Sequence, residues 1–433
     1  MQKIITIASL SLLLVAGTVA WAQENNEDVS SAETLEPITV TARGNESPVS
    51  ETPGGVGVVT EKEFFIIQPT GIADAARRIP GVEKSSDSPW GSEINIRGLG
   101  RDAVILLIDG CRVNTATDIN ARFGLIAPAD IERIEVLKGP ISALYGTGST
   151  GGVVNVITKK GRMTTVPQHH AEVRVAVGDN PSGSEEYLSL SYGNPHGWAY
   201  ASASYRDKGS YTAGDGAHID NSQFRDYQGK IYAGRQWNNR NVSEIHVLRM
   251  EGRDIGIPGK GLSLPEGPRA TYPRIGHTLI NALHTLSPDS THWKESTLSI
   301  YYDQIERKVR LDEFPAGQVS EIRPSADHRT MGGRWQNLLE AADHTLVTGV
   351  DGWSWRVENT ERIRNFTNGT QGTDSALGDV QQLSAGLYAE DTWRMASAWT
   401  LNAGGRWDYL EAKSNRLYNW IEPPTTTTPS TWP

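Results

Sequence analysis

Cysteine occurs once in these 433 residues, so Cys111 has no internal disulfide partner. Set in an apolar run, it reads as a small core side chain. Phenylalanine (6) and methionine (5) are scarce against 44 glycines, 13 tryptophans and 14 tyrosines. Apolar residues spread this thinly favour alternating strands over buried helices. Cationic residues are outnumbered, 41 Lys+Arg to 51 Asp+Glu, and the net charge of −10 speaks against a nucleic-acid binder, which needs clustered Lys and Arg on phosphates. After residue 20 no apolar run approaches the ~20 residues of a spanning helix. A chain like this crosses a membrane only as a closed barrel. No nucleophile motif and no H-E-x-x-H is present, and neither a catalytic residue nor a metal-ligand set is assigned.

What is present starts with an address. Lys3 precedes an apolar run from Ile4 to Ala20, and Ala20-Trp21-Ala22 has the small-x-small pattern of a cleavage site, so residues 1–22 read as a signal peptide. Residues 23–47 form a polar tail with one β-prone patch, Ile38-Thr39-Val40-Thr41, and no partner strand in sight. Residues 48–162 read as a compact mixed α/β unit. It opens with the strand VGVVT and a helix capped by Thr60, with Glu61 and Glu63 at its positive end, then a short helix from Gly71 to Arg78. Strands follow at EINIRGL and AVILLIDGCRV, then a helix-like IAPADIERIEVLK, whose last residues are open to a strand reading, and a closing strand in GGVVNVITKK. Gly146-Thr147-Gly148-Ser149-Thr150-Gly151 fits G-x-G-x-x-G, but it precedes a strand instead of opening a helix, and so reads as a turn.

From residue 168 to 433 the period becomes two. In WTLNAGGRWDY one face carries Trp399, Leu401, Ala403, Gly405, Trp407 and Tyr409, and the other Thr400, Asn402, Gly404, Arg406 and Asp408. AEVRVAV and YLSLSY follow the same rule. An apolar face ending in aromatics over a polar opposite face marks strands between lipid and a wet lumen. Short turns at 194–197, 238–241, 287–290, 342–344 and 396–398 alternate with longer connections near 209–222, 255–273, 308–327 and 358–380. That alternation places short turns in the periplasm and long loops outside. The count is about 11 strands, which predicts about half of a 22-stranded plugged barrel.

The stretches IPGV (79–82), INIRGLG (94–100), LLIDGCRV (106–113) and IERIEVLKGPISALYGTGSTGGVVNVITKK (131–160) resemble the TonB-dependent outer-membrane receptors. The resemblance implies an α/β plug domain followed by an antiparallel transmembrane β-barrel in the bacterial outer membrane. It implies uptake of a scarce extracellular ligand, powered by the inner-membrane-anchored protein TonB, and no cofactor. Glu36, Pro37, Ile38, Thr39, Val40, Thr41 and Ala42 match the family's TonB box, whose β-branched run suits pairing as an added strand. Arg97, Glu132, Arg133 and Glu135 lie in family motifs, and the resemblance implies that such plug charges latch onto the barrel wall. The matching apical stretches, SSDSPWGSE (85–93) and NTATDINARFG (114–124), offer Ser86, Asp87, Trp90, Thr115, Thr117, Asp118 and Asn120 as ligand contacts, with packing against the barrel wall the alternative for Trp90. A ferric siderophore is the ligand expected from the family. Haem, with His218 or Tyr211 in an outer loop, cobalamin and other metal chelates stay open. Two other classes are distinguishable: a passive porin shares the strand period but needs no plug, and a barrel enzyme needs a convergent catalytic set.

Overall fold

A computed structural model describes residues 39–40, 47–48, 55–86, 88–115, 121–139, 142–258, 268–314, 317, 319–375, 379–396 and 399–414. The signal-peptide and cleavage-site expectation lies outside them. The β-prone patch does have a partner: β1 (Thr39–Val40) pairs antiparallel with β2 (Ser47–Pro48) over two residues.

The next unit is a five-stranded sheet with a small satellite. Its elements are β3 (Gly55–Thr60), α1 (Glu61–Ile67), α2 (Ile72–Ala76), β4 (Val82–Ser86), β5 (Ser92–Ile96), β6 (Val104–Ile108), β7 (Cys111–Arg112), β8 (Ile131–Lys138), α3 (Ser142–Tyr145) and β9 (Gly152–Thr158). The main sheet runs β3-β8-β9-β6-β7, with only β6 and β9 parallel, and β4 pairs β5 separately. Thr60 caps α1 as expected, its backbone N–H donating to the Glu63 carboxylate at 2.7 Å. The helix-like run at 126–138 is not a helix. Pro128 opens a single 3-10 turn, Pro128–Asp130, and β8 follows at once. A β-bulge between Ile131 and Arg133 adds one residue, so Ile131 and Ile134, three apart, both enter the core. That spacing imitates a helix face.

The wall is one antiparallel sheet. Its long strands are β10 (Gln168–Asp179), β11 (Ser182–Asn194), β12 (Gly197–Lys208), β15 (Phe224–Asn238), β16 (Asn241–Ile257), β17 (Arg269–Leu286), β18 (Trp293–Asp312), β19 (Val319–Ala341), β20 (His344–Glu358), β23 (Val380–Ala396) and β24 (Trp399–Ser414). They pair in that order, eleven strands along one path. Short ribbons sit in two long connections: β13 (Tyr211–Thr212) with β14 (His218–Ile219), and β21 (Arg362–Phe366) with β22 (Gln371–Asp374). All five expected short turns fall between consecutive strands. The connections expected at 255–273 and 308–327 are shorter, because β16 to β19 extend into them to Ile257, from Arg269, to Asp312 and from Val319.

Outward positions are apolar and open: Val173, Val175, Ile231, Ile300, Trp399, Leu401 and Trp407 are all exposed. Inward positions are polar on most strands. On β16 to β18 they are mixed: Leu248, Met250, Ile275, Leu279 and Ile305 join the core of the preceding unit, packed with Phe123, Leu125 and Ile126, beside buried His277, Asp303 and Arg307. There much of the inner face meets protein, and apolar residues stand on both faces.

Candidate functional site

The inner unit is seated on the wall through buried carboxylates. Asp130, at the end of the 3-10 turn, accepts from Ser202 Oγ at 2.8 Å, from Tyr187 at 3.2 Å and from Tyr200 at 3.4 Å, and pairs with Lys230 Nζ at 3.0 Å. Both partners of that ion pair are essentially solvent-free. Lys230 also donates to the Lys159 carbonyl at 2.8 Å, so each charge has several partners. A second seat is Asp226, gripped by two guanidinium nitrogens of Arg206 and by Trp90 Nε1 at 2.6 Å, while Arg206 also donates to the Thr70 carbonyl at 2.7 Å. A third is Asp109. It occupies the two-residue turn Asp109-Gly110 of the β6–β7 hairpin, where both φ angles are positive (49° and 77°). That turn aims its carboxylate at Thr158 N and Oγ1, both 2.8 Å, and at Tyr232 of the wall, 2.9 Å. Beside it Cys111 is buried, its thiol pushed up by desolvation and then by the Asp109 charge.

Toward the long-loop ends of the strands lies a cavity of 430 Å³, within the range of about 300–1,000 Å³ usual for ligand sites. The inner unit contributes Arg112, Asn114 and Thr115, and the wall contributes Trp353, Trp355 and Gln382. Asn114 Nδ2, Thr115 Oγ1 and Trp355 Nε1 are buried with no hydrogen-bond partner among the described residues. Such groups are costly to leave unpaired, so the lining offers polar contacts to an oxygen-bearing ligand. Arg112 lies over the Trp353 ring, 5.1 Å from its centroid, and donates to Asn114 Oδ1, Tyr145 O and Thr147 O. Burial pulls its guanidinium down to about 10.

Two family models match: the TonB-dependent receptor plug domain over residues 48–153, and the TonB-dependent receptor-like β-barrel over 177–431. The chain belongs to the TonB-dependent receptor family. It is 26% identical to a hemin receptor of Yersinia enterocolitica over 94% of this chain and 57% of that protein. With the ferric aerobactin receptor of Klebsiella pneumoniae it shares 32% over 80% of this chain and 51% of that one. Among solved structures the copper transporter OprC superposes with a TM-score of 0.71 at 18% identity, covering 84% of this chain and 56% of that one. The chain spans about half the length of these relatives.

In this TonB-dependent receptor the charges expected to latch the plug pair at home. Arg133 holds Glu135 at 2.8 Å and Glu132 at 3.1 Å, both on its own strand. Glu132 also lies 3.8 Å from Arg162, in the connection to the wall. Arg97 is exposed with a positive φ of 52°, a turn position beside Gly98. The latches themselves are Asp130, Asp226 and Asp109, and the first and last stand in family motifs already quoted or next to them. Of the expected ligand contacts, Thr115 lines the cavity. Trp90 does not: it is 1% exposed, bonded to Asp226 and packed over Gly124, so it anchors the plug to the wall. Ser86 ends β4, and Asp87, Thr117, Asp118 and Asn120 lie outside the described residues. His218 and Tyr211 sit on the outer ribbon of β13 and β14. The glycine run is a turn, with φ of 72° at Gly146 and 92° at Gly148. Sequence reasoning missed Trp353 and Trp355. Their signal was Asp351, which shares their strand parity and so turns that face from lipid to lumen.

Proposed function

We propose that this chain forms the plug and leading wall of an uptake receptor in the bacterial outer membrane, which binds a scarce extracellular ligand and imports it to the periplasm under TonB drive. The observation that carries this reading is a folded plug held in the lumen by buried carboxylates, which a passive pore has no use for. The ligand we propose is a ferric siderophore or another iron complex, with haem and cobalamin as the family alternatives. The similarity to a ferric aerobactin receptor and a hemin receptor supports an iron-bearing ligand, and similarity to vitamin B12 transporters supports the cobalamin alternative. Binding assays on the full-length protein with a ferric siderophore panel, haemin and cyanocobalamin decide among them. Haemin or cobalamin bound while iron chelates are ignored would overturn the ligand choice and leave the transport role standing.

The coupling element is Glu36 to Ala42, read as the TonB box. Its described residues, Thr39 and Val40, pair with β2, a short ladder of the kind that can exchange for an edge strand of TonB. Val40→Pro removes a ladder donor. Uptake is expected to be lost while ligand binding persists, and normal uptake by this variant would remove the assignment.

A further inference from the structure

We infer that Arg112 of the plug and Trp353 of the wall form the barrier on a solute route along the seam between plug and barrel. A second cavity, of 860 Å³, runs along the same seam. Its far end is lined by Thr285, Glu295 and Glu340, beside the short turns after β17 and β19. The 430 Å³ cavity is lined at its own far end by Trp355, Gln382 and Leu410, near the long-loop ends of β20, β23 and β24. Arg112 and Trp353 line both cavities. The two spaces thus approach each other from opposite ends of the strands, and this side-chain pair stands where they meet.

The partition is of a kind that opens locally. Arg112 reaches Trp353 through the ring face, with no hydrogen bond to it. Among the described residues its hydrogen bonds go to Asn114, Tyr145 and Thr147 of the plug. Moving the plug segment around α3, or turning the indole, separates the pair while Asp130 and Asp226 keep the plug seated. The larger cavity carries charges of both signs, Glu132, Arg133, Lys160, Glu244, Arg334 and Asp351, so it suits a hydrated polar solute. This inference rests on the uptake reading for its purpose. Its test does not.

The full-length protein, reconstituted in liposomes without TonB or ligand, is assayed for swelling in arabinose. Wild type is expected to exclude the sugar, and Trp353→Ala to admit it. Trp353→Phe keeps a ring under the guanidinium and is expected to stay closed. Arg112→Ala opens the route from the plug side and serves where Trp353→Ala does not fold. Trp198→Ala is the control, since Trp198 of β12 packs against Gly161, in the connection after β9, and Gly234 of β15, away from the pair. Tight liposomes with both alanine variants would overturn the inference. So would swelling with Trp198→Ala or Trp353→Phe equal to that with Trp353→Ala, which would mean a generally loosened plug. Because no ligand or energy source is involved, a negative result leaves the uptake reading intact, and failure to bind any iron complex leaves this result interpretable.

Discussion

Strand β6 of the plug and strand β24 of the wall follow opposite rules. All five residues of β6, Val-Ile-Leu-Leu-Ile, are buried, because plug elements cover one face and the other meets protein as well. In β24 odd positions such as Trp399, Leu401 and Trp407 are open to the outside, while Arg406 turns inward to Asp351 at 2.7 Å. The plug is built as water-soluble domains are, apolar within. The wall is inverted, with its polar groups inside. Hydrophobicity alone does not separate the two, but the parity of charged residues does, since a charge can face a lumen and not lipid.

The sharpest way to break this contrast is to place arginine at neighbouring positions in each strand. Leu106→Arg and Leu107→Arg are expected to cost alike, about 4 kcal/mol or more, since each buries an unpaired charge. Urea unfolding of the full-length protein measures both, and a large difference between them would mean that one face of β6 is open. Where the two regimes meet, Asp130→Ala strands Lys230 without its carboxylate, at an expected cost of about 3–5 kcal/mol. Adding Lys230→Met should recover much of it. No recovery would show that Asp130 acts through Ser202 and the tyrosines instead. In β24 the neighbours should differ: Leu401→Arg costs about 2–4 kcal/mol near the bilayer midplane, and Asn402→Arg far less. Equal losses would refute the register.

The smallest effect concerns Glu61, at the start of α1. Burial would raise its pKa, but Lys159 at 2.6 Å and Arg174 at 2.8 Å outweigh that and hold it below the usual carboxylate value. A depressed folded-state pKa means stability that is present above the unfolded value and lost as pH falls through the folded one. Half-exposed pairs of this kind contribute about 0.2–1 kcal/mol. Glu61→Gln should therefore lower stability slightly at neutral pH and leave it unchanged in acid, in the same unfolding assay run across pH.

Much of this architecture was readable because two periodicities are honest. The wall strands alternate wherever one side meets lipid, so their number and short turns came out. In β16 to β18, where the plug packs, apolar side chains such as Leu248, Ile275 and Ile305 stand on the inner face as well, and there hydrophobicity alone does not tell plug-facing from lipid-facing residues. In the plug, β8 passed for a helix because its bulge moves Ile134 onto the side of Ile131. The site was less legible. Thr115 stood in an apical stretch and does line the cavity, while Trp90, open to a ligand contact or to packing against the wall, is buried and bonded to Asp226. Its partner, Asp226, is 136 residues away, beyond what any local pattern encodes.

The position of β3 has a mechanical consequence. It is an edge strand whose sheet neighbour is β8, with Gly55 opposite Lys138 and Thr60 opposite Arg133. The Thr60 end lies toward the short-turn side, where Glu61 holds Lys159 and Lys160 holds Glu244. Tension entering along the chain meets Gly55 first. Directed to the short-turn side, it doubles β3 back along itself and opens its pairs in succession from Gly55·Lys138, instead of shearing them together. The peak force is then that of one or two pairs, while the work is spread over the strand's length, and the remaining order β8-β9-β6-β7 keeps its pairing as the edge is drawn away.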